Sequence, residues 1–302
     1  MRIIFCEDPL DYRQVDAMYQ AEADAAQALG IPYSRISFEA LTTGAPHLTV
    51  KRIPASESIE DALYRGWMLK PDQYRQLYDA LLDRGLRLIN TPDMYRHTHH
   101  LPESYDIIAG HTPRSVWLKV GPNFTLDDVH TALKPFGDLP VIVKDYVKSQ
   151  KHYWYEACYI PDAADRQHVK RVVSRFLELQ GDDLNEGLVF REFVEFQPLT
   201  QHSRSDMPLT QEYRVFVADG RPIFDTRYWS EGEYADVHPE LSQFEPVMQQ
   251  VNSRFYTMDI ARLSNGTWMI VELGDGQTAG LADHVNVGDF YQALSEKVIR
   301  MS

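Results

Sequence analysis

Apolar and polar positions fall into two successive patterns along the chain. Residues 2–6 form a short, nearly unbroken apolar run, the signature of a buried strand. Val15, Met18, Tyr19, Ala26 and Leu29 then recur at roughly helical spacing and stop at Gly30, after which residues 32–37 return to a strand pattern. This β-α-β opening predicts a parallel sheet with a crossover helix. Residues 42–60, with Gly44, Pro46 and Pro54, read as irregular. Residues 62–69 predict another strand. Pro71 opens a helix whose apolar stripe is Tyr74, Leu77, Tyr78, Leu81 and Leu82, closed by Gly85. A short strand follows at 86–90, and Thr91-Pro92 leads into a helix or turn. Residues 1–112 are therefore expected to form an α/β lobe.

After Pro113 the pattern restarts as α+β. Residues 115–119 are apolar, and Thr125 with Asp128 forms a capping-box start for a helix that buries Leu133. Val141, Ile142 and Val143 predict a strand that delivers Lys144 at its end, with Lys148 and Lys151 in a following loop. Residues 162–179 predict an amphipathic helix with Val169, Val172, Val173, Phe176 and Leu177 inward, and residues 188–196 a strand. The stretch 197–210, with His202, Ser203, Arg204 and Pro208, reads as a polar loop. A hairpin is expected at 211–228 with Asp219-Gly220 at its turn, then a helix over 240–252 interrupted by Pro246. A second hairpin spans 256–277: Tyr256, Met258, Ile260 and Leu263 before the Ser264-Asn265-Gly266 turn, and an apolar run from Trp268 after it. A last helix over 287–301 packs Phe290, Leu294 and Val298. The expected division is 1–112 and 113–302, the second part split into a smaller lobe (113–190) and a larger one (191–302).

The net charge of -14 argues against broad binding to nucleic acid or to an anionic membrane surface. With only Cys6 and Cys158 there is no disulfide framework, and a reducing, cytoplasmic compartment is expected. The N-terminus lacks a signal-peptide core, and no run reaches the ~18 apolar residues of a membrane span.

Four features could carry chemistry. Lys144, Lys148 and Lys151 at the mouth of a sheet suit polyphosphate oxygens, or form an ordinary exposed cluster. No G-x-x-x-x-G-K-[ST] or G-x-G-x-x-G motif is present, which argues against a P-loop or Rossmann site. Arg191-Glu192-Phe193-Val194-Glu195 alternates charged and apolar residues, as a half-exposed strand also would. Arg214 sits inside an apolar strand and calls for a bidentate partner, a carboxylate or a phosphate. Asp259 and Glu272 should lie roughly opposite each other across the second hairpin, with Asp275 close by. Acids in apolar strands need compensation, and a hard divalent cation is one form of it. His97, His99, His100 and His111 lack a paired ligand motif and read as a solvated polar stretch.

The order of these features resembles the ATP-grasp superfamily. Tyr64-Arg65-Gly66-Trp67-Met68-Leu69, Val141-Ile142-Val143-Lys144 with Lys148 and Lys151, and Val271-Glu272-Leu273-Gly274-Asp275-Gly276-Gln277 resemble more narrowly its subgroup named for one arginine and two lysines. The resemblance covers about residues 60–285. It implies an α/β lobe followed by an α+β ATP-grasp fold, two lobes closing over ATP. It implies an ATP-dependent carboxylate–amine ligase that works through an acyl phosphate and releases ADP and phosphate. The rivals are a nucleotide- or peptide-binding protein without turnover and a phosphoryl transferase on the same fold. The implied cofactors are ATP and Mg²⁺, or Mn²⁺ in its place, and the implied partner is a small-molecule or peptide substrate. By the same resemblance Lys144 contacts the α-phosphate and adenine side, and Lys151, or alternatively Lys148, comes from the mobile loop over the phosphates. Glu192, Phe193 and Val194 form the adenine hinge, with backbone pairing at 193–194, and Glu195 binds the ribose. Arg214 faces the transferred phosphate, Asp259 and Glu272 bind the metal, and Arg65 and Trp67 hold the acceptor. Two departures stand out: Gly274 occupies the usual third metal-ligand position, so that either Asp275, one residue late, binds the metal in its place or the third ligand is lost, and no glycine-rich loop lies between 144 and 155.

Overall fold

The structure, a computed structural model, describes residues 1–203 and 207–299. Arg204 of the expected polar loop and Met301 at the end of the expected last helix lie outside the described residues.

Strands β1 (Arg2–Cys6), β2 (Tyr33–Ile36), β3 (Glu60–Arg65) and β4 (Leu86–Leu88) form a parallel sheet in the order β2-β1-β3-β4. The first helix is shorter than its periodicity predicts. It runs Gln20–Ala28, after a 3₁₀ turn at Ala17–Tyr19 that Asp16 caps by accepting from the Met18 amide. β3 stops at Arg65 rather than running to 69. The Tyr64 ring lies where a side chain on residue 66 would stand, 2.5 Å from that Cβ position, so only Gly66 lets the chain turn away there. The irregular stretch contains two short helices, Phe38–Thr42 and Pro46–Thr49.

β5 (Ser115–Lys119), β6 (Val141–Asp145), β7 (Tyr159–Ile160) and β8 (Gly187–Glu192) form an antiparallel sheet in the order β5-β8-β6-β7. The helix Arg166–Gln180 packs on it through Val169, Val172, Val173 and Phe176. The capping box of Thr125 and Asp128 is present at the helix Leu126–Leu133. β8 runs across the expected 190/191 division, so Arg191 and Glu192 belong to this sheet.

The stretch read as a polar loop pairs instead as β9 (Pro198–Gln201) with β10 (Pro208–Thr210). β11 (Glu212–Ala218), β12 (Arg221–Arg227), β13 (Phe255–Arg262) and β14 (Trp268–Asp275) make the last sheet, antiparallel in the order β12-β11-β13-β14. Both expected hairpins are there. The helix expected over 240–252 is only a 3₁₀ turn, Leu241–Phe244, and a short helix, Glu245–Met248, with Pro246 in its first turn rather than interrupting it. The final helix Val287–Leu294 passes into a π turn, Ser295–Ile299.

One core joins the first and last sheets: Ile3, Phe5 and Leu63 pack with Phe216, Phe255, Phe290 and Leu294. Another packs Leu101 and Ile108 of the helix Leu101–Ile108 against Val215, Met258 and Ile260. The β13–β14 hairpin is thereby packed on both faces, and beyond Phe255 the face that carries Thr257 and Asp259 opens into the site. Among the described residues no helix is long and apolar enough to cross a membrane.

Candidate active site

Register builds the site. β11 places Arg214 opposite Asp259 of β13, and β13 places Asp259 opposite Glu272 of β14. Neighbours across antiparallel strands share a face, so the three side chains meet. Arg214 chelates Asp259, Nε donating to Oδ1 at 2.9 Å and Nη2 to Oδ2 at 2.8 Å. Lys144 reaches across from β6 and donates Nζ to Glu272 Oε2 at 2.9 Å. These groups line a cavity of about 360 Å³ that also takes in Lys148 and Lys151.

Electrostatics separate the two acids. Burial, which would raise the Glu272 carboxyl, is outweighed by Lys144 and Lys151, which hold it down at about 2. Asp259 is pushed up by burial against the pull of Arg214. As a donor set the pair offers hard carboxylate oxygens and nothing more. Among the described residues no group of three or more His, Cys, Asp or Glu is arranged to hold a metal ion. The two opposed carboxylates themselves are a donor set of the kind Mg²⁺ takes, since that ion typically uses one or two carboxylates and completes its shell with phosphate and water oxygens.

A second cavity, about 520 Å³, opens along the end of β8. Glu192, Phe193, Val194 and Glu195 all line it, with Ile142, Cys158, Leu209 and Val271 giving it an apolar wall. Lys151 and Ser149 line both cavities and so mark where they join. The hinge differs from expectation in one respect. The Phe193 amide already donates to Pro140 O at 2.9 Å, so it is not available to a base edge. The next amide, Val194, has no partner among the described residues. Glu192 faces Arg114 at 3.3 Å, while Glu195 is exposed at the rim and its carbonyl accepts from Ser264.

Of the two loop lysines, Lys151 sits at the junction. Lys148 is exposed, its amide tied to Asp145, and it lines the outer mouth near His99.

Two expected site residues lie outside the cavity, and a third lines it from the other face of β14. Arg65 is fully buried, and its Nε and Nη2 donate to Glu22 at 2.8 and 2.9 Å while Nη1 donates to Gly276 O and Ala279 O. It is a strut beneath the cavity with no donor turned toward an acceptor substrate. Trp67 donates Nε1 to Asp16 at 2.9 Å and meets Tyr19 edge-on; its neighbour Met68 lines the cavity instead. Asp275 pairs in register with Tyr256, one step beyond the Thr257–Gly274 pair, and on the alternate face from Glu272. Its carboxylate accepts from Asn90 at 2.6 Å and from the Gln277 amide at 2.9 Å, so it ties the first sheet to the hairpin while lining the same cavity as Asp259 and Glu272.

Other residues at the site carried no clear signal. His99 and His100 are buried rather than solvated, because Tyr95, one turn earlier, stacks on His99 at 4.8 Å. His99 lines the cavity of Asp259 and Glu272, and burial lowers its pKa to about 3, so it is a neutral wall. Glu212, two residues before Arg214 on the same strand, is buried and pushed up to about 8 by that burial, against Lys151. Period-2 spacing from Arg214 was the available clue. Tyr228 and Trp229 arrive only through the return of β12 and had none.

The model of the ATP-grasp domain, R2K clade family 3, matches residues 135–294. No curated protein matches the chain. Among solved structures, the chain is similar to a RimK-domain ATP-grasp protein from Sphaerobacter thermophilus, with a TM-score of 0.60 and 12% identity over 99% of this chain and 100% of that one. It is similar to the ATP-grasp ligase PsnB complexed with precursor peptide PsnA2 and AMPPNP, with a TM-score of 0.57 and 15% identity over 98% of this chain and 96% of that one. It is also similar to D-alanine–D-alanine ligase from Bacillus anthracis complexed with ATP, with a TM-score of 0.55 and 13% identity over 100% of this chain and 98% of that one. At these identities the likeness is one of fold, and the match to the domain model over more than half of the sequence adds the lineage: the chain has the ATP-grasp fold and belongs to the R2K clade of the ATP-grasp family.

Proposed function

We propose that this chain is an ATP-dependent carboxylate–amine ligase. The observation that carries the reading is the joined pair of cavities, an apolar cleft at the end of β8 opening past Lys151 into a chamber of cations facing two opposed carboxylates. An adenine base fits the first, with Phe193 and Val194 along it and Glu195 at the ribose edge. A polyphosphate fits the second. Phosphate oxygens can replace Glu272 at Lys144, which frees Glu272 to join Asp259 as an oxygen donor to Mg²⁺ or Mn²⁺. When bound, that ion neutralises phosphate charge.

Arg214 and Lys151 then flank the transferred phosphoryl group, where fixed cations lower the repulsion between two anions as charge moves. A carboxylate oxygen of the substrate attacks the γ-phosphorus, ADP leaves and an acyl phosphate forms. An amine attacks the acyl carbon, phosphate is expelled with the proton that the amine gives up, and the amide remains. Holding the amine beside the acyl phosphate is the chief gain in this step. The acceptor, an amino acid or peptide, approaches from the carboxyl edge of the first sheet, where Met68 lines the chamber and Trp67 is 39% exposed beside it. PsnB, solved with a peptide, supports a peptide as one such substrate. A cytoplasmic location suits the two unpaired, buried cysteines.

A second reading, nucleotide binding without turnover, draws on one observation: Asp259 and Glu272 are each already held by a cation. Incubation with Mg-ATP and a panel of amino acids and peptides separates the readings. Ligation predicts ADP and phosphate release that depends on the panel. AMP and pyrophosphate as the only products contradict the acyl phosphate, a stable phosphorylated product indicates a phosphoryl transferase, and binding without any product supports the second reading.

A further inference from the structure

The lysine at the junction is held differently from its companions. Lys144 is paired with Glu272 and Arg214 with Asp259, whereas Lys151 has no carboxylate within ion-pair distance among the described residues. Its ammonium lies instead 5.7 Å from the Tyr228 ring centroid and 5.6 Å from that of Trp229. The two rings meet edge-on at 4.7 Å, and the Arg214 guanidinium lies 4.7 Å over Tyr228. Both aromatic residues are anchored at the end of β12: the Tyr228 amide donates to Glu212 O at 2.9 Å, and the Trp229 amide donates to Tyr234 Oη at 3.0 Å. The indole N–H of Trp229 is buried with no partner among the described residues, so ring contacts hold it in place. Lys151 opens the 3₁₀ turn Lys151–Tyr153, on the segment that leaves the opposite sheet. The contact therefore spans the cleft.

Ring faces suit this task better than an acid would. An ammonium out of water needs compensation, and an aromatic face supplies it electrostatically. A carboxylate would also occupy the N–H donors, while a π face leaves them for phosphate oxygens. Building on the ligase reading, in which Lys151 serves the phosphates, we propose that Tyr228 and Trp229 are positioning residues that dock Lys151 over the cleft before nucleotide arrives, so that nucleotide has less of the segment to order.

The test has one arm that needs no nucleotide. In the full chain under limiting acetic anhydride, mass spectrometry should show Lys151 modified about tenfold more slowly than exposed Lys148. Tyr228→Leu and Trp229→Leu should each remove most of that protection, and Tyr228→Phe, which keeps the ring face, should retain it. In calorimetry, Tyr228→Leu should weaken Mg-AMPPNP binding about tenfold and Tyr228→Phe less than about twofold, and the Tyr228→Leu effect should vanish in a Lys151→Met background. Trp229→Leu provides the same reading if Tyr228→Leu does not fold. Equal reactivity of Lys151 and Lys148 in the unaltered chain overturns the proposal, as does an equal loss from Tyr228→Leu with and without Lys151. A chain that protects Lys151 through these rings yet binds no Mg-AMPPNP supports the docking and instead contradicts the nucleotide reading.

Discussion

Glu272 and Asp275 stand on the same strand and line the same cavity, yet they are held by opposite kinds of partner. Glu272 faces Lys144 and Lys151, which keep it ionised down to about pH 2. Asp275 faces the amides of Asn90 and Gln277, which are neutral, and burial raises its carboxyl to about 7. Two chelating arginines, one half-buried and one fully buried, divide the same way. Arg214 chelates Asp259 at the wall of the cavity, and Arg65 chelates Glu22 beneath it. Residue type and burial are therefore poor guides to role in this molecule. The partner's charge and the direction of the opening separate binding groups from joints.

The largest effects should come from dismantling each arginine pair. Losing either arginine alone leaves a buried carboxylate unpaired, at a cost of about 3–5 kcal/mol in stability. Replacing both partners breaks the symmetry. Arg65→Leu with Glu22→Leu should recover most of the stability in urea denaturation and retain Mg-ATP turnover. Arg214→Leu with Asp259→Leu should recover stability but leave turnover about 10²–10³-fold down, because the charges at the transferred phosphate are gone. Turnover surviving the second double replacement would put Arg214 among the joints.

A smaller effect lies in pH. A carboxyl raised to about 7 from its ordinary 3.8 favours the proton in the folded chain, so its contribution to stability is full below 3.8 and is lost as pH rises through about 7. Glu272 runs the other way: its contribution is present above 4.5 and is lost as pH falls through about 2. Asp275→Asn should therefore remove a decline of up to about 1.4 kcal/mol per pH unit between pH 4 and 7, measured as the difference between the two denaturation profiles. Profiles that stay parallel would mean Asp275 is ionised in the fold.

The smallest expected change is at Trp67. Trp67→Phe keeps the edge contact with Tyr19 and loses only the bond to Asp16. Mg-AMPPNP affinity should move less than about twofold, within the usual range for a surface substitution. A larger loss would place Trp67 at the nucleotide.

The second hairpin was legible because Asn265-Gly266 marks the turn, but its exact pairing was not: Arg262–Trp268 to Ile260–Ile270 follow the turn, and a bulge between Asp259 and Ile260 is what sets Asp259 against Glu272. The meeting of Arg214 with Asp259 was not legible either, since it depends on a long-range pairing of β11 with β13 that local periodicity does not encode. The same holds for Arg65. Its identity pointed to a partner, but Glu22 lies on the first helix and the Gly276 and Ala279 carbonyls at the far end of the chain. Gly66 ended β3 early because of a ring two residues back, a steric fact invisible in hydropathy. Polar sequence also misled at residues 97–100 and 197–210. Stacking on Tyr95 buries His99, and a short ladder makes two strands of what composition marks as loop.

The central claim is that the Glu272 end of the hairpin binds Mg-nucleotide and the Asp275 end only joins sheets. Calorimetric titration of Mg-AMPPNP into the unaltered chain, Glu272→Gln and Asp275→Asn tests it directly. The account predicts binding by the unaltered chain and Asp275→Asn within about threefold of each other, and a loss of about 100-fold or more in Glu272→Gln. Glu272→Gln binding as tightly as the unaltered chain, or Asp275→Asn losing as much as Glu272→Gln, would contradict it.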